Sequence, residues 1–176
     1  MTSYLIFDTE TTGLRNHILS KEQPFITEFC GCILDTATGG ESWHEWLVKP
    51  PISIPNEVTS ITGIDDALVK ECPSFCEVAE DVRHIVEGAD SLVAHNLAFD
   101  LDMLRFEFDR CGEPLVFPAH RICTVEASLH IKGRRLSLAD LHEHLFGEPH
   151  KEAHRARPDV EALVRVFKAF DLGEDE

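Results

Sequence analysis

Tyr4-Leu5-Ile6-Phe7-Asp8-Thr9-Glu10-Thr11-Thr12-Gly13-Leu14 opens on four apolar residues and runs straight into acid. The apolar run has the length and residue type of a buried strand, and Thr-Thr-Gly has turn chemistry. Along a strand, residues i and i+2 share a face, so Asp8 and Glu10 project side by side. Two adjacent carboxylates raise each other's pKa unless a cation lies between them. A hard divalent metal with oxygen ligands answers that need. An isolated D-x-E is most often only a strand entering a polar turn, so the pair takes its meaning from what the rest of the chain brings to it.

Outward from this stretch, Arg15 to Gln23 is polar, and 25–34 has the pattern of a second strand. Asp35-Thr-Ala-Thr-Gly39-Gly40 makes a hairpin connection to a third strand over 43–48. Lys49-Pro50-Pro51 ends that strand, and a loop containing Pro55 is expected beyond it. Ser74 and Glu77 form a capping box ahead of Phe75, Val78, Val82 and Ile85 at helical spacing, with Gly88 as the stop. A fourth strand is expected over 91–95, a helix over 99–110 closed by Gly112, and a short fifth strand over 121–124. Ser137 and Asp140 cap a helix carrying Leu138, Leu141 and Leu145, and Val160, Leu163, Val164, Phe167 and Phe170 line one face of the last helix. A hairpin first and helix–strand alternation after it predict an α/β fold. Its mixed five-stranded sheet has antiparallel strands first, parallel strands after them, and flanking helices. With no repeat or linker, residues 1–176 are expected to form a single domain, with 171–176 a frayed acidic tail.

The chain carries 16 Lys and Arg against 32 Asp and Glu, a net charge of −16 that ordinarily argues against a nucleic-acid partner. The distribution changes that argument. Residues 121–168 hold nine basic and seven acidic residues, a local +2, so the remainder carries −18. A polyanion would have to meet the protein on a face built from 121–168. No apolar run is long enough for a transmembrane helix, and no basic segment precedes the first strand, so no membrane association and a cytoplasmic, intracellular location are expected. Six cysteines without a secretion signal are expected to be reduced thiols.

Two further clusters fall beside expected helix starts. In His95-Asn96-Leu97-Ala98-Phe99-Asp100 a strand gives way to a helix, and Asp100 falls in its first turn, where the macrodipole favours negative charge. Asp102 lies two positions on, roughly 200° around the helix, so only one of the two can face a common site. In His154-Arg-Ala-Arg-Pro158-Asp159, Pro158 is tolerated in a first helical turn, which puts Asp159 at the positive helix end with His154 just before it.

Taken in order, these clusters resemble the DEDD-type 3′→5′ exonucleases of the histidine-containing subclass, the family of the proofreading epsilon subunit, RNase T and oligoribonuclease. The motifs match as Asp8-Thr-Glu10, His95-Asn-x-x-Phe-Asp100 and His154-x-x-x-x-Asp159, and the likeness spans about residues 4–170. The resemblance implies a ribonuclease H-like fold with two divalent ions, Mg2+ or Mn2+. It further implies that Asp8 bridges both metals, that Glu10 and Asp159 complete one, that Asp100 holds the other, and that His154 is the general base. The expected reaction is hydrolysis of phosphodiester bonds at nucleic-acid 3′ ends, in single-stranded DNA, RNA or both, releasing nucleoside 5′-monophosphates. The same resemblance assigns the terminal nucleotide to the Thr11-Thr12-Gly13-Leu14 turn, with Leu14 wedging against a base, Phe99 packing on one, and Asn96 lining the site. Where the family often has His before Gly-Ile, this chain has Thr62, which can still donate a hydrogen bond.

Lys132, Arg134 and Arg135, joined by Arg155 and Arg157, are the expected grips for phosphate, with Arg134 and Arg135 foremost. His142, His144, His150 and His154 crowd together but lack cysteines and finger spacing, which argues against zinc. Cys30 and Cys32 share a strand face as a buried pair, and Trp43 and Trp46 lie on opposite faces of theirs. The alternatives are a ribonuclease H-like endonuclease and a catalytically inactive scaffold or processivity module on the same fold. The partner reading extends to a homodimer or a polymerase or other replication partner, between which the sequence does not decide.

Overall fold

The computed structural model describes residues 2–16, 23–148, 150 and 154–170. The expected tail at 171–176 lies outside them. A nine-residue strand, β1 (Ser3–Thr11), runs up the middle of the molecule. β2 (Ile26–Asp35) and β3 (Glu41–Leu47) follow as antiparallel neighbours, and β4 (Ser91–Ala94) and β5 (His120–Cys123) add on the other side in parallel. The sheet is mixed and five-stranded in the order β3-β2-β1-β4-β5, as the hairpin-first pattern implies.

Seven helices are described. They are α1 (Asn56–Thr62), α2 (Phe75–Gly88), α3 (Leu97–Cys111), α4 (Thr124–Ala127), α5 (Leu129–Lys132), α6 (Leu138–Phe146) and α7 (Ala156–Phe170). The start of α2 is fixed as expected, with the Ser74 N–H donating to the Glu77 carboxylate at 2.8 Å. Helix α1 replaces the loop expected after Pro55. Its sequence, Asn-Glu-Val-Thr-Ser-Ile-Thr, is rich in β-branched residues of low helical propensity. Val58 nonetheless packs onto Ile54, Ile64 and Val69, and that burial overrides the propensity. The four-residue helices α4 and α5 are too short to show a period.

Strand alternation divides the core. Leu5 and Phe7 face α2 and α3 with Phe29, Leu92, Met103 and Leu104, all buried. Tyr4 and Ile6 face α7 with Cys30, Cys32, Val160, Leu163 and Phe167. Trp43 packs on this second cluster and Trp46 on the first, so the tryptophans do take opposite faces. At 25 cal/mol per Å2, each fully buried Leu, Ile or Phe contributes about 1.5–3 kcal/mol, so both faces of β1 are held firmly.

One expectation about the thiols is corrected. Cys76 in α2 and Cys111, the last residue of α3, form a disulfide with their Cα atoms 5.5 Å apart. The two are 35 residues apart in sequence, and only the packing of α2 against α3 brings them within bridging distance. Cys30, Cys32, Cys72 and Cys123 are free. Among the described residues, no helix is long and apolar enough to cross a membrane.

Candidate active site

The alternation that buries Tyr4 and Ile6 against α7 continues into Asp8 and Glu10, which therefore emerge on the α7 side of the sheet. There they meet Asp159 in the first turn of α7. Asp8, Glu10 and Asp159 each offer an oxygen to a common point, the three atoms lying within 4.8 Å of one another. Thr9 points the other way, toward α3. Its backbone N–H and hydroxyl both donate to Asp100 Oδ1, at 3.1 and 2.7 Å. Asp100 is only 2% exposed. The carboxylates thus straddle the end of β1, Asp159 on one side and Asp100 on the other.

The charges are under strain as they stand. Burial, then Asp100, Glu10 and Asp159 in turn, hold Asp8 well above the usual carboxylate range. Burial first and the neighbouring acids Asp159, Glu28 and Asp100 next push Glu10 up to about 8. Burial raises Asp100 to about 7 against the two Thr9 hydrogen bonds, and burial also raises Asp159. Four acids that cannot all ionise comfortably, with three oxygens converging, are the donor set a hard divalent cation needs. Asp102, two residues beyond Asp100, faces away and pairs with Arg15 and Arg105.

A β-bulge shapes this end of the sheet. Glu10 pairs with Glu28 but Thr11 with Ile26, so β2 carries Thr27 as an extra residue. Glu28, on the regular side of the bulge and directly opposite Glu10, is fully buried, and Arg155 binds it through Nε at 3.0 Å and a terminal nitrogen at 2.7 Å. Arg155, expected to grip phosphate, is committed to this pair instead. Arg157 is likewise engaged, to Glu161 at 2.7 Å and over the Trp43 ring at 3.9 Å. Among the described residues, sequence reasoning missed Glu28, because its place opposite Glu10 follows from the pairing register of β1 with β2, which no local pattern announces.

His154 sits at the mouth of the site with an exposed side chain and left-handed backbone, φ 72°. Its N–H donates to Asp159 Oδ2 at 3.1 Å. His150 was also missed as a neighbour of the carboxylates: its Nε2 lies 3.2 Å from Asp159 Oδ1. The crowding of histidines after 141 was the available signal, although among the described residues no histidine joins a converging group of metal ligands. His142 is buried beneath, with Nδ1 2.7 Å from the Glu148 carbonyl. His95, half-buried and pushed down to about 4 chiefly by desolvation, sits with Nδ1 2.9 Å from the Thr124 hydroxyl.

The residues assigned to the terminal nucleotide form the rim. Thr11 donates its hydroxyl to the Gly13 carbonyl at 2.6 Å, and the Thr12 hydroxyl accepts from Phe25 N–H at 3.0 Å, so both shape the turn from within. Leu14 projects from that turn, 87% exposed. Asn96 is exposed with φ 73° ahead of α3, and Phe99 packs partly against the core. The Thr62 hydroxyl donates to the Val58 carbonyl and accepts from the Ile64 N–H, both at 3.1 Å, at the Gly63-capped end of α1. Arg134 and Arg135 are exposed on the loop after α5, within 3.9 Å of Asp140 and 3.0 Å of Glu126 respectively.

The chain resembles known proteins over nearly its whole length. The family model described as Exonuclease matches residues 5–167. The DNA polymerase III subunit epsilon of Treponema pallidum is 30% identical over 170 residues, covering 94% of this chain and 74% of that protein. The Escherichia coli subunit of the same name is 28% identical, covering 99% and 73%. Among solved structures, E. coli exonuclease I in a zinc-bound complex with single-stranded DNA superposes with a TM-score of 0.79 at 17% identity, over 97% of this chain and 41% of that one. The nuclease domain of 3′hExo, described as a DEDDh family member bound to rAMP, gives 0.75 at 20% identity, over 97% and 92%. Those likenesses carry the fold, which is ribonuclease H-like. With the family model spanning both the central strand and the last helix, the chain belongs to the exonuclease family.

Proposed function

We propose that the protein is a metal-dependent 3′→5′ exonuclease, folded as one domain over residues 1–176, that releases nucleoside 5′-monophosphates from the 3′ ends of single-stranded DNA or RNA. The observation that carries this reading is the convergence of Asp8, Glu10 and Asp159 within 4.8 Å, with Asp100 across the strand end. Asp8, Glu10 and Asp159 would hold one divalent ion, and Asp8 with Asp100 a second, Mg2+ or Mn2+. Bound there, such ions supply Lewis acidity to the phosphate and lower the pKa of water.

The chain's own groups do the rest. His154, beside Asp159, takes the proton from the attacking water. The turn at Thr11, Thr12 and Gly13 presents its backbone to the terminal nucleotide, Leu14 wedges against a base, and Phe99 and Asn96 line the opposite wall. Arg134 and Arg135 exchange exposed carboxylate partners for phosphates further along the strand. The epsilon relatives support an intracellular role beside a polymerase, and a homodimer is the other assembly to test. Digestion of matched, end-labelled DNA and RNA oligonucleotides with magnesium or manganese is the deciding experiment. Mononucleotides appearing from the 3′ end are expected. Internal cuts would mean an endonuclease, and no cleavage would mean a scaffold.

A further inference from the structure

Glu28 is a fifth carboxylate beside four that already repel one another, and it is fully buried. Such a charge is costly, and a buried ion pair is weak support for stability, since apolar replacements of similar volume are often neutral or stabilising. Its hydrogen bonds show where its influence goes. Oε1 and Oε2 accept a bidentate pair from Arg155, and Oε2 also accepts the N–H of Ala156 at 2.9 Å. Ala156 is the first residue of α7, and Glu28 satisfies one of the N–H groups that a helix start leaves unpaired. Three hydrogen bonds therefore tie the two residues after His154 to the bulged strand.

His154 itself adopts a left-handed backbone, which is strained for a non-glycine residue and persists only when its surroundings over-determine it. Two restraints do so: its N–H on Asp159, and the clamp on Arg155 and Ala156. We propose that Glu28 and Arg155 are positioning residues for His154, fixing its turn over the carboxylates rather than touching substrate. This rests on the exonuclease reading, in which His154 moves the proton. Arg155 keeps its fork geometry on Glu28 and is not a phosphate grip.

The test is steady-state hydrolysis of a single-stranded DNA oligonucleotide with manganese by wild type, Glu28→Gln, Arg155→Lys and His154→Ala, and by each clamp variant combined with His154→Ala. Lysine keeps the charge at 155 but cannot make the bidentate pair. Either clamp variant should lose kcat by about 10–100-fold with KM changed less than about threefold, the scale of outer hydrogen-bonding partners. Combined with His154→Ala, neither should add a further loss, because the residue it positions is gone. In the metal-free protein, both should speed hydrogen exchange at the Ala156 amide. Should Glu28→Gln fail to fold, Arg155→Lys at the part-exposed partner reads the same quantities. Equal losses with and without His154, or no loss of kcat, overturn the clamp. A raised KM for Arg155→Lys with a lowered KM for Glu28→Gln also overturns it and makes Arg155 a substrate contact. If wild type itself releases no nucleotide, the exonuclease reading fails instead.

Discussion

Thr9 holds Asp100 by one oxygen: its N–H and its hydroxyl converge on Oδ1, at 3.1 and 2.7 Å. The residue between the two acids of the strand thus orients the acid on the other side of it. Thr9→Val keeps the N–H and the shape but removes the hydroxyl. Metal affinity or kcat should fall about 10–100-fold, as for other groups that orient a ligand. Calorimetric titration with manganese checks this, and an unchanged binding curve would deny the orienting role.

Asp8→Ala should lower turnover by at least ~10³-fold with the fold retained, since Asp8 lies within reach of every other acid of the site. Asp102→Ala is the matched control. Asp102 faces Arg15 and Arg105, so its loss should leave hydrolysis near the wild-type rate. Similar rates for both variants would remove the carboxylate cluster from the reaction.

The two histidines at Asp159 can be separated. His154→Ala should cost roughly 10²–10⁴-fold in kcat, with part of the rate returning at higher pH as hydroxide becomes abundant. His150→Ala, which removes the ring nitrogen 3.2 Å from Asp159 Oδ1, should cost less than about tenfold. The reverse order would make His150 the base.

Metal-free stability should fall as pH rises. Asp100 at about 7 and Glu10 at about 8 bind protons more tightly in the folded chain than in the unfolded one. Their contribution is complete below the ordinary carboxylate range and is lost as pH climbs through those folded values. In EDTA, Asp100→Asn should therefore melt above wild type at pH 8, the gap closing toward pH 5. Manganese at ~100 times its dissociation constant should add about 2.7 kcal/mol per independent site to wild type. A gap that does not change with pH would show that these acids do not sense one another.

Reducing the Cys76–Cys111 bridge should destabilise the protein by about 4 kcal/mol on the chain-entropy estimate for a loop of its 35-residue span. Urea unfolding with and without a phosphine reductant measures it, and the Cys76→Ser, Cys111→Ser double variant should show no response to the reductant. Coincident curves for wild type would place the bridge outside the folded state in solution.

Much of this was legible because β1 is an unusually plain message. Apolar alternation, two acids in step and a turn define a central strand ending in a charged site, and the capping box at Ser74 marks a helix without ambiguity. What could not be read depended on tertiary contact. Helix α1 forms from poor helix formers because Val58 finds a cluster, and Thr62 spends its hydroxyl on its own helix end. The pairing of Cys76 with Cys111 and of Glu28 with Arg155 requires knowing which elements pack, and for Glu28 also the register of β1 on β2. His150 was visible as a residue but not as a neighbour of Asp159.

Asp8 lies on the first strand and Asp159 on the last helix, so the cluster closes nearly the longest loop the chain can make. During folding it cannot exist until α7 docks on β1, and without a cation its repulsion opposes that docking. A divalent ion held there would act as a reversible cross-link between the two ends of the fold, withdrawing loop-closure entropy from the open chain as a covalent bridge does, with its strength set by metal concentration. Helix α7 would thereby become, once the site is loaded, among the hardest elements to release.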